Sequence, residues 1–377
     1  MPLTGPVRLL LHIPCSTWLR TYSKTHWRGD LSAGLTVGIM LIPQGMAYAM
    51  IAGLPLEYGL YAALAPQIVY GVFGTSRHLA VGPVAMDSLL VAAGLGGLAL
   101  AGTDRYIELA LLLSVMMGLM QWGMGMMRMG FLVHFLSKPV ISGFTTAAAL
   151  LIGLNQLPHL AGVACERSNR VHLVLGHLMD AAPATQGLTL GVGMAAIGIL
   201  AGLKAWAPKV PASLMVVLGS VAVSWGVGLE SRGVQVVGHI PSGLPAAGLP
   251  NWDVADVNAL LPVALTLALV AFMEAISVAK SVEERHDYDV DPNQELKALG
   301  MANVLGAFFQ SYPTTGGFSR TAVTEQSGGK TPVTAWVAAT VVALTLVLLT
   351  PLFHHLPNAV LAAVVLVAVA GLVDIRF

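Results

Sequence analysis

Charge is missing from this chain in long blocks. No Asp, Glu, Lys or Arg lies between Asp30 and Glu57, Glu57 and Arg77, Glu108 and Arg128, Lys138 and Glu166, Asp180 and Lys204, Lys209 and Glu230, Asp256 and Glu274, or Lys297 and Arg320. A last charge-free block, Lys330 to Asp374, is long enough for two helices, divided by Pro351, His354, His355 and Pro357. Crossing a hydrocarbon core of ~30 Å takes ~20 apolar residues in a helix, so these blocks read as ten long spans. Only 10% of the 377 residues are charged and 56% are hydrophobic, whereas a soluble domain carries about 25% charged residues. Lipid must therefore solvate much of the surface. The net charge of zero argues against a nucleic-acid partner, which requires a basic face.

Two further apolar segments, about 83–98 and about 318–328, are short for a full crossing. The first opens at Gly82-Pro83 and the second at Gly316-Gly317, signals that start helices. They read as half-helices, bringing the count to twelve membrane segments. Residues 1–30 carry Arg8, Arg20, Lys24 and Arg28 without a cleavable secretory pattern, and read as a cytoplasmic segment lying against the membrane. Arg128 and Lys138, then Lys204 and Lys209, fall on that same side, in keeping with the bias of Lys and Arg toward cytoplasmic loops. The expected location is the inner (plasma) membrane, multi-pass, with a cytoplasmic N-terminus.

The stretch 230–257, rich in Pro and Gly, is then an extracellular linker between two halves, 31–229 and 258–377. The halves echo each other. Gln44 sits mid-span in one and Glu274 mid-span in the other, and aligning these two also aligns Ala49 with Ala279. Seven segments precede the linker, so the second half runs inverted. Inverted halves that each hold a short Gly/Pro-marked helix point to a substrate site at the membrane midplane. The first N–H groups of a helix lack intrahelical partners, and the helix dipole makes that end positive. Two such ends facing each other favour an anion.

Several side chains stand out around those ends. Gly82, Pro83, Val84 and Ala85 start the first half-helix, and small residues there let an anion approach the backbone. The competing reading is close helix packing. Gly317, Phe318, Ser319 and Arg320 start the second, where a full positive charge reinforces the helix end. Structurally, Arg320 would instead bond a carbonyl or neutralise Glu325. Glu274 is a carboxyl in the middle of an apolar span, where ionisable groups are costly and usually functional. It would carry a coupling proton, bind sodium, or form a permanent ion pair with Arg320. Asp87, in the first turns of the first half-helix, is a second coupling candidate. Gln44 and Tyr48 share a helical face one turn apart, offering hydrogen bonds to an oxyanion or to a neighbouring helix.

Asp30-x-x-Ala33-Gly34-Leu35-Thr36-Val37-Gly38, Ile42-Pro43-Gln44-Gly45-Met46-Ala47-Tyr48-Ala49, Ala52-Gly53-Leu54-Pro55 and Phe73-Gly74-Thr75-Ser76-Arg77 closely resemble the SulP family of sulfate-permease and prestin-like anion transporters. So do Asp291-x-Asn293-Gln294-Glu295-Leu296 and Tyr312-Pro313-x-Thr315-Gly316-Gly317-Phe318-Ser319-Arg320-Thr321-Ala322-Val323. The resemblance covers about residues 28–377. It implies an all-α polytopic membrane protein with a 7+7 inverted-repeat fold, in which helices one to four and eight to eleven form a core domain. Helices five to seven and twelve onward form a gate. It also implies an anion site at Ser319 and Arg320, with the Gln44–Tyr48 stretch beside it. Sulfate, bicarbonate, chloride or small dicarboxylates are the implied substrates, often carried with protons or sodium, in a protein that is commonly a homodimer. The family continues with two more helices and a STAS domain, so a chain stopping at Phe377 reads as partial.

The expected activity is proton-coupled symport of a small anion by alternating access, without a cofactor. Sodium coupling and an uncoupled channel or exchanger of the same fold remain open. A nucleobase carrier fits poorly with Arg320. Enzyme chemistry is not expected, since no nucleophile–base pair or cofactor motif lies in the spans. Ser327-Gly328-Gly329-Lys330-Thr331 has Thr324 where a phosphate loop needs glycine, and no strand precedes it. Gly191-x-Gly193 lies inside an apolar span. Cys15 and Cys165 make neither a disulfide framework nor a zinc site. The methionine-rich run 116–129 reads as packing, and the eleven histidines show no metal-binding spacing.

Overall fold

The computed structural model describes residues 14–370 apart from 21, 132–137, 164–170, 208–211, 249, 251 and 287. A short helix α1 (Cys15–Arg20) precedes α2 (Lys24–Ala52), a 29-residue helix with Pro43 in its interior. Gly53 ends α2 in the left-handed region at φ 79°, its N–H donating to the Ala49 and Met50 carbonyls, the usual glycine C-cap. The block between Glu57 and Arg77 departs from expectation. It is not one span but two helices, α3 (Leu56–Tyr61) and α4 (Ala65–Phe73). Pro66, in the first turn of α4, has no N–H to continue a helix but is well suited to begin one.

Beyond the first half-helix, α5 (Ala85–Leu95), the chain forms α6 (Asp104–Met126), α7 (Lys138–Ala161), α8 (Val171–Ala181), α9 (Gly187–Trp206) and α10 (Ala212–Val227). The helix α8 was not expected from the charge pattern, and it displaces the start of the following span to Gly187. After the linker come α11 (Val254–Glu283), α12 (Pro292–Phe308) and the second half-helix, α13 (Phe318–Gln326). Then α14 (Val333–Leu344) passes through a π turn (Thr345–Leu349) into a 3₁₀ turn (Thr350–His355), and α15 (Asn358–Ala370) follows. Among the described residues, five helical runs are long and apolar enough to cross a membrane: Lys24–Ala52, Asp104–Met126, Gly187–Trp206, Val254–Glu283 and Val333–His355. The half-helices occur where the Gly/Pro signals put them, a few residues shorter than expected.

Lipid tails are as apolar as leucine, so helix association in a membrane depends on close packing. Glycines supply it here. On α2, Gly34 and Gly38 face α14, where an added Cβ would meet Val337 Cβ at 2.5 Å and Val341 Cβ at 2.8 Å respectively. Farther along α2, Gly45 lies against Gly59 of α3 with the backbones nearly touching, so a Cβ on Gly45 would sit 2.8 Å from the Gly59 carbonyl oxygen. Among the described residues the buried apolar side chains form two clusters. One joins α2 to α9, α10, α14 and α15 through residues such as Met46, Val217, Val342 and Leu361. The other joins α5, α6, α11 and α12 through Leu95, Leu113, Phe272 and Leu299. Met116, Met117 and Met124 belong to the second cluster, while Met127 is exposed.

The linker does not hang free. Val237 and Gly238 donate to the carbonyls of Leu356 and His354, and Asn358 donates back to Gln235. Gly243 bonds Leu346, and Gly248 bonds Phe308.

Candidate functional site

Each half-helix is entered from a two-residue strand, β1 (Val81–Gly82) and β2 (Thr315–Gly316), and the two strands pair antiparallel, Val81 opposite Gly316 and Gly82 opposite Thr315. Because the strands run in opposite directions and each leads straight into its helix, α5 and α13 leave this ribbon with their N-termini flanking it. Neither end is capped by a side chain. The N-cap positions are Val84 and Gly317, both extended and without a side-chain cap bond. The ribbon is reinforced by Gly317 N–H donating to the Ala80 carbonyl at 2.9 Å and by Thr321 Oγ1 accepting from Ala80 N–H at 3.0 Å.

Arg320 is the largest fully buried side chain among the described residues, 1% exposed. Its guanidinium folds back over its own helix start, into space left by Gly317: a Cβ there would come within 2.6 Å of Arg320 Cζ and displace the guanidinium. One nitrogen, Nη1, donates to the Pro83 carbonyl at 2.8 Å. The other two, Nε and Nη2, are buried without a hydrogen-bond partner. The carbonyl bond that a structural role for Arg320 calls for is present. Neutralisation of Glu325 is not, because Glu325 pairs with Arg285 at 2.9 Å and His286 at 3.0 Å.

The neighbouring groups are equally short of partners. Asp87 on α5 is fully buried, and both its carboxyl oxygens lack a hydrogen bond. So do Glu274 Oε2 on α11 and Gln44 Oε1 on α2. Glu274 is within electrostatic range of both Asp87 and Arg320, yet no direct ion pair joins it to Arg320. The permanent-pair reading of Glu274 is therefore not what this structure contains. Tyr48 is buried on α2 and within reach of the Arg320 charge. Leu41, one turn before Gln44, lies 3.5 Å from where a Cβ on Gly82 would sit, so α2 passes directly beside the ribbon. Val84 and Ala85 are buried at the start of α5, while Phe318 and Ser319 lie exposed at the start of α13.

Two participants escaped the sequence reading. Tyr312 is fully buried, and its hydroxyl lies 3.0 Å from Ser88 Oγ, beside Asp87 on α5. Thr321 ties α13 to the strand before α5. Both lie inside the motif 312–323, which was the available signal.

Buried donors and carboxyls without partners cost free energy unless something fills the gap. Unpaired N–H groups of a guanidinium and two helix N-termini would accept an oxyanion. Carboxyl oxygens a short distance away would accept a proton or a small cation.

Long apolar helices packed around two short ones that meet start to start beside unpaired charged groups define a polytopic helical membrane protein. The chain belongs to the sulfate permease family, whose family model matches residues 27–377. The Arabidopsis thaliana protein named "Sulfate transporter 4.1, chloroplastic" is 40% identical over 371 residues, covering 96% of this chain and 54% of that protein. The structure of the murine Slc26a9 anion transporter in the inward-facing state superposes with a TM-score of 0.90 at 26% identity, covering 99% of this chain and 65% of that one. The transmembrane domain of the cyanobacterial bicarbonate transporter BicA superposes with a TM-score of 0.85 at 22% identity, over 94% and 91% of the two chains, a likeness of fold. The chain spans about half the length of the curated relatives it matches. The Arabidopsis protein, murine Slc26a9 and BicA are each named as a transporter.

Proposed function

We propose that this protein is a secondary active transporter that carries a small anion, of the size of sulfate, bicarbonate or a short dicarboxylate, together with a proton by alternating access. The observation that most supports this reading is the pair of unpartnered Arg320 nitrogens at the junction of two uncapped helix starts. In this reading the anion binds to the N–H groups following Gly82-Pro83-Val84-Ala85 and Gly317-Phe318-Ser319, and to Arg320. Gln44 and Tyr48 contribute hydrogen bonds from α2. Glu274, with Asp87 close by, takes up the coupling proton, so that proton and anion enter with little net change in buried charge.

The two helix groups before and after the linker form inverted halves. The elements around the ribbon make a core domain, which moves against a gate built from the later helices of each half. The protein resides in the plasma membrane with its N-terminus cytoplasmic, as a homodimer. A sodium ion at Asp87 and Glu274 is the second reading, favoured by carboxyl oxygens from two helices that are buried together without partners.

The test is uptake of labelled sulfate, bicarbonate and a four-carbon dicarboxylate into liposomes under a proton gradient and then a sodium gradient, with Glu274→Gln beside wild type. Accumulation driven by the proton gradient and lost in the variant supports proton symport. Accumulation that follows only sodium moves the assignment to the second reading. Downhill flux that ignores both gradients and survives the substitution refutes coupling.

A further inference from the structure

We propose that Glu230, His354 and His355 form a binding site for a divalent cation of the zinc type, at the junction of the linker with the end of the α14 run. In sequence the two histidines read as residues of a loop between spans, without metal-binding spacing. The fold supplies one from 124 residues away. Glu230 begins a 3₁₀ turn (Glu230–Arg232) just after α10, and His354 and His355 end the 3₁₀ turn (Thr350–His355). One ligand atom from each of the three side chains lies within 4.8 Å of the other two. His355 Nδ1 is already 3.6 Å from Glu230 Oε2, and the two imidazole rings stand edge to face, 4.8 Å between centroids.

The donor set matches the chemistry. Zinc takes imidazole nitrogen and carboxylate oxygen at about 2.0–2.2 Å in tetrahedral arrangement, which places ligand atoms about 3.3 Å apart. The arrangement here is looser by about 1.5 Å at most, within reach of small χ rotations of partly exposed side chains. Glu230 is 54% and His355 34% exposed, so an ion has an open path in and a water completes the fourth position. Magnesium and calcium prefer oxygen-only sets and would bind poorly.

The backbones that carry the ligands are held in register beforehand. Val236 bridges Pro357, Gly238 N–H donates to the His354 carbonyl, and Asn358 N–H to Gln235. An ion at this point would therefore tie the exit of α10 to the entry of α15. The proposal does not depend on the identity of any transported substrate.

Zinc chloride titrated calorimetrically into detergent-purified protein without a histidine tag tests it, with magnesium chloride as control and Glu230→Gln, His354→Gln and His355→Gln alongside. The expected result is one zinc per chain in wild type, no magnesium binding, and affinity lowered at least about ten-fold in each variant. Equal zinc affinity in wild type and variants, or no saturable zinc binding, overturns the site. A measurement on wild type alone guards against a misfolded variant. Mass-spectrometric mapping of diethyl pyrocarbonate labelling should show zinc protecting His354 and His355, and labelling of both unchanged by zinc overturns the proposal equally.

Discussion

Arg320 Nη1 and the Pro83 carbonyl, 237 residues apart in sequence, meet at 2.8 Å and so join the starts of the two half-helices. One side chain thus holds the junction while keeping two nitrogens unsatisfied. Removing the charge has two separable effects. Arg320→Gln should weaken anion binding by about 10–100-fold, the value of a lost charge-assisted hydrogen bond at about 1.5–3 kcal/mol. It should also lower the thermal midpoint, because the Pro83 carbonyl loses its buried donor. Arg320→Lys keeps the charge but not the fork, so it should recover part of the affinity. Half-saturation of anion uptake, with melting measured in parallel, checks both. Equal affinity in wild type and Arg320→Gln would show that the guanidinium only braces the junction.

Glu274→Gln separates coupling from binding. The amide keeps the size of the side chain but cannot exchange a proton. Anion–anion exchange across the liposome membrane should persist within about three-fold, while proton-driven accumulation should fall by at least about ten-fold, a change of ~1.4 kcal/mol or more. Loss of both together would mean that the carboxylate is needed to hold the site in shape.

Much of the helix layout can be read from where charges are absent, and the half-helices from Gly82-Pro83 and Gly316-Gly317. The strands β1 and β2 cannot be read the same way, since two residues are too few to show alternation and their pairing spans more than 230 residues. The break between α3 and α4 depends on Pro66, which the absence of charge conceals. Side chains lodged in apolar spans, such as Glu274 and Arg320, stand out in sequence because their cost there is high. Asp30 and Glu295 do not, because their meaning lies in distant partners. Glu295 accepts from Tyr70 Oη, Thr75 N–H and Oγ1, and Ser76 N–H, all more than 200 residues earlier. The ligand set Glu230, His354 and His355 is hidden for the same reason.

Asp30 is one of these distant contacts that should be costly to lose. It is fully buried near the start of α2 and accepts from Lys330 N–H at 2.7 Å, Thr331 N–H at 3.0 Å and Thr331 Oγ1 at 2.6 Å. It thereby fixes the chain just after α13. Asp30→Ala leaves two backbone donors unsatisfied, at about 1–3 kcal/mol each, and should destabilise the fold by about 2–6 kcal/mol. Asp30→Asn retains one acceptor oxygen and should cost less than half as much. Unfolding midpoints in detergent decide it, and an unchanged midpoint for Asp30→Ala would mean that water replaces the carboxylate at no cost.

His78 should make stability fall in mild acid. It lies in the loop between α4 and β1, 4% exposed, with Nδ1 3.0 Å from the Tyr288 hydroxyl and its ring stacked 4.3 Å from that of His286. Arg77 sits over the Tyr288 ring, and Glu325 faces the group through His286. Burial first, then the His286 charge, pushes His78 down from its ordinary 6.5 to about 4, with Glu325 opposing only in part. Between these values the unfolded chain holds a proton that the folded one does not. The stabilisation is therefore complete above about pH 6.5 and is lost as pH falls toward about 4. The full difference of about 2.5 units corresponds to a ceiling of about 3 kcal/mol. Carboxylates elsewhere also weaken the fold in acid, so the informative quantity is the difference between wild type and His78→Asn. From about pH 7 to about pH 4.5, the wild-type midpoint should drop more steeply than that of the variant. Parallel curves would mean that His78 takes up its proton without leaving the stack, and that Glu325 compensates the charge in place.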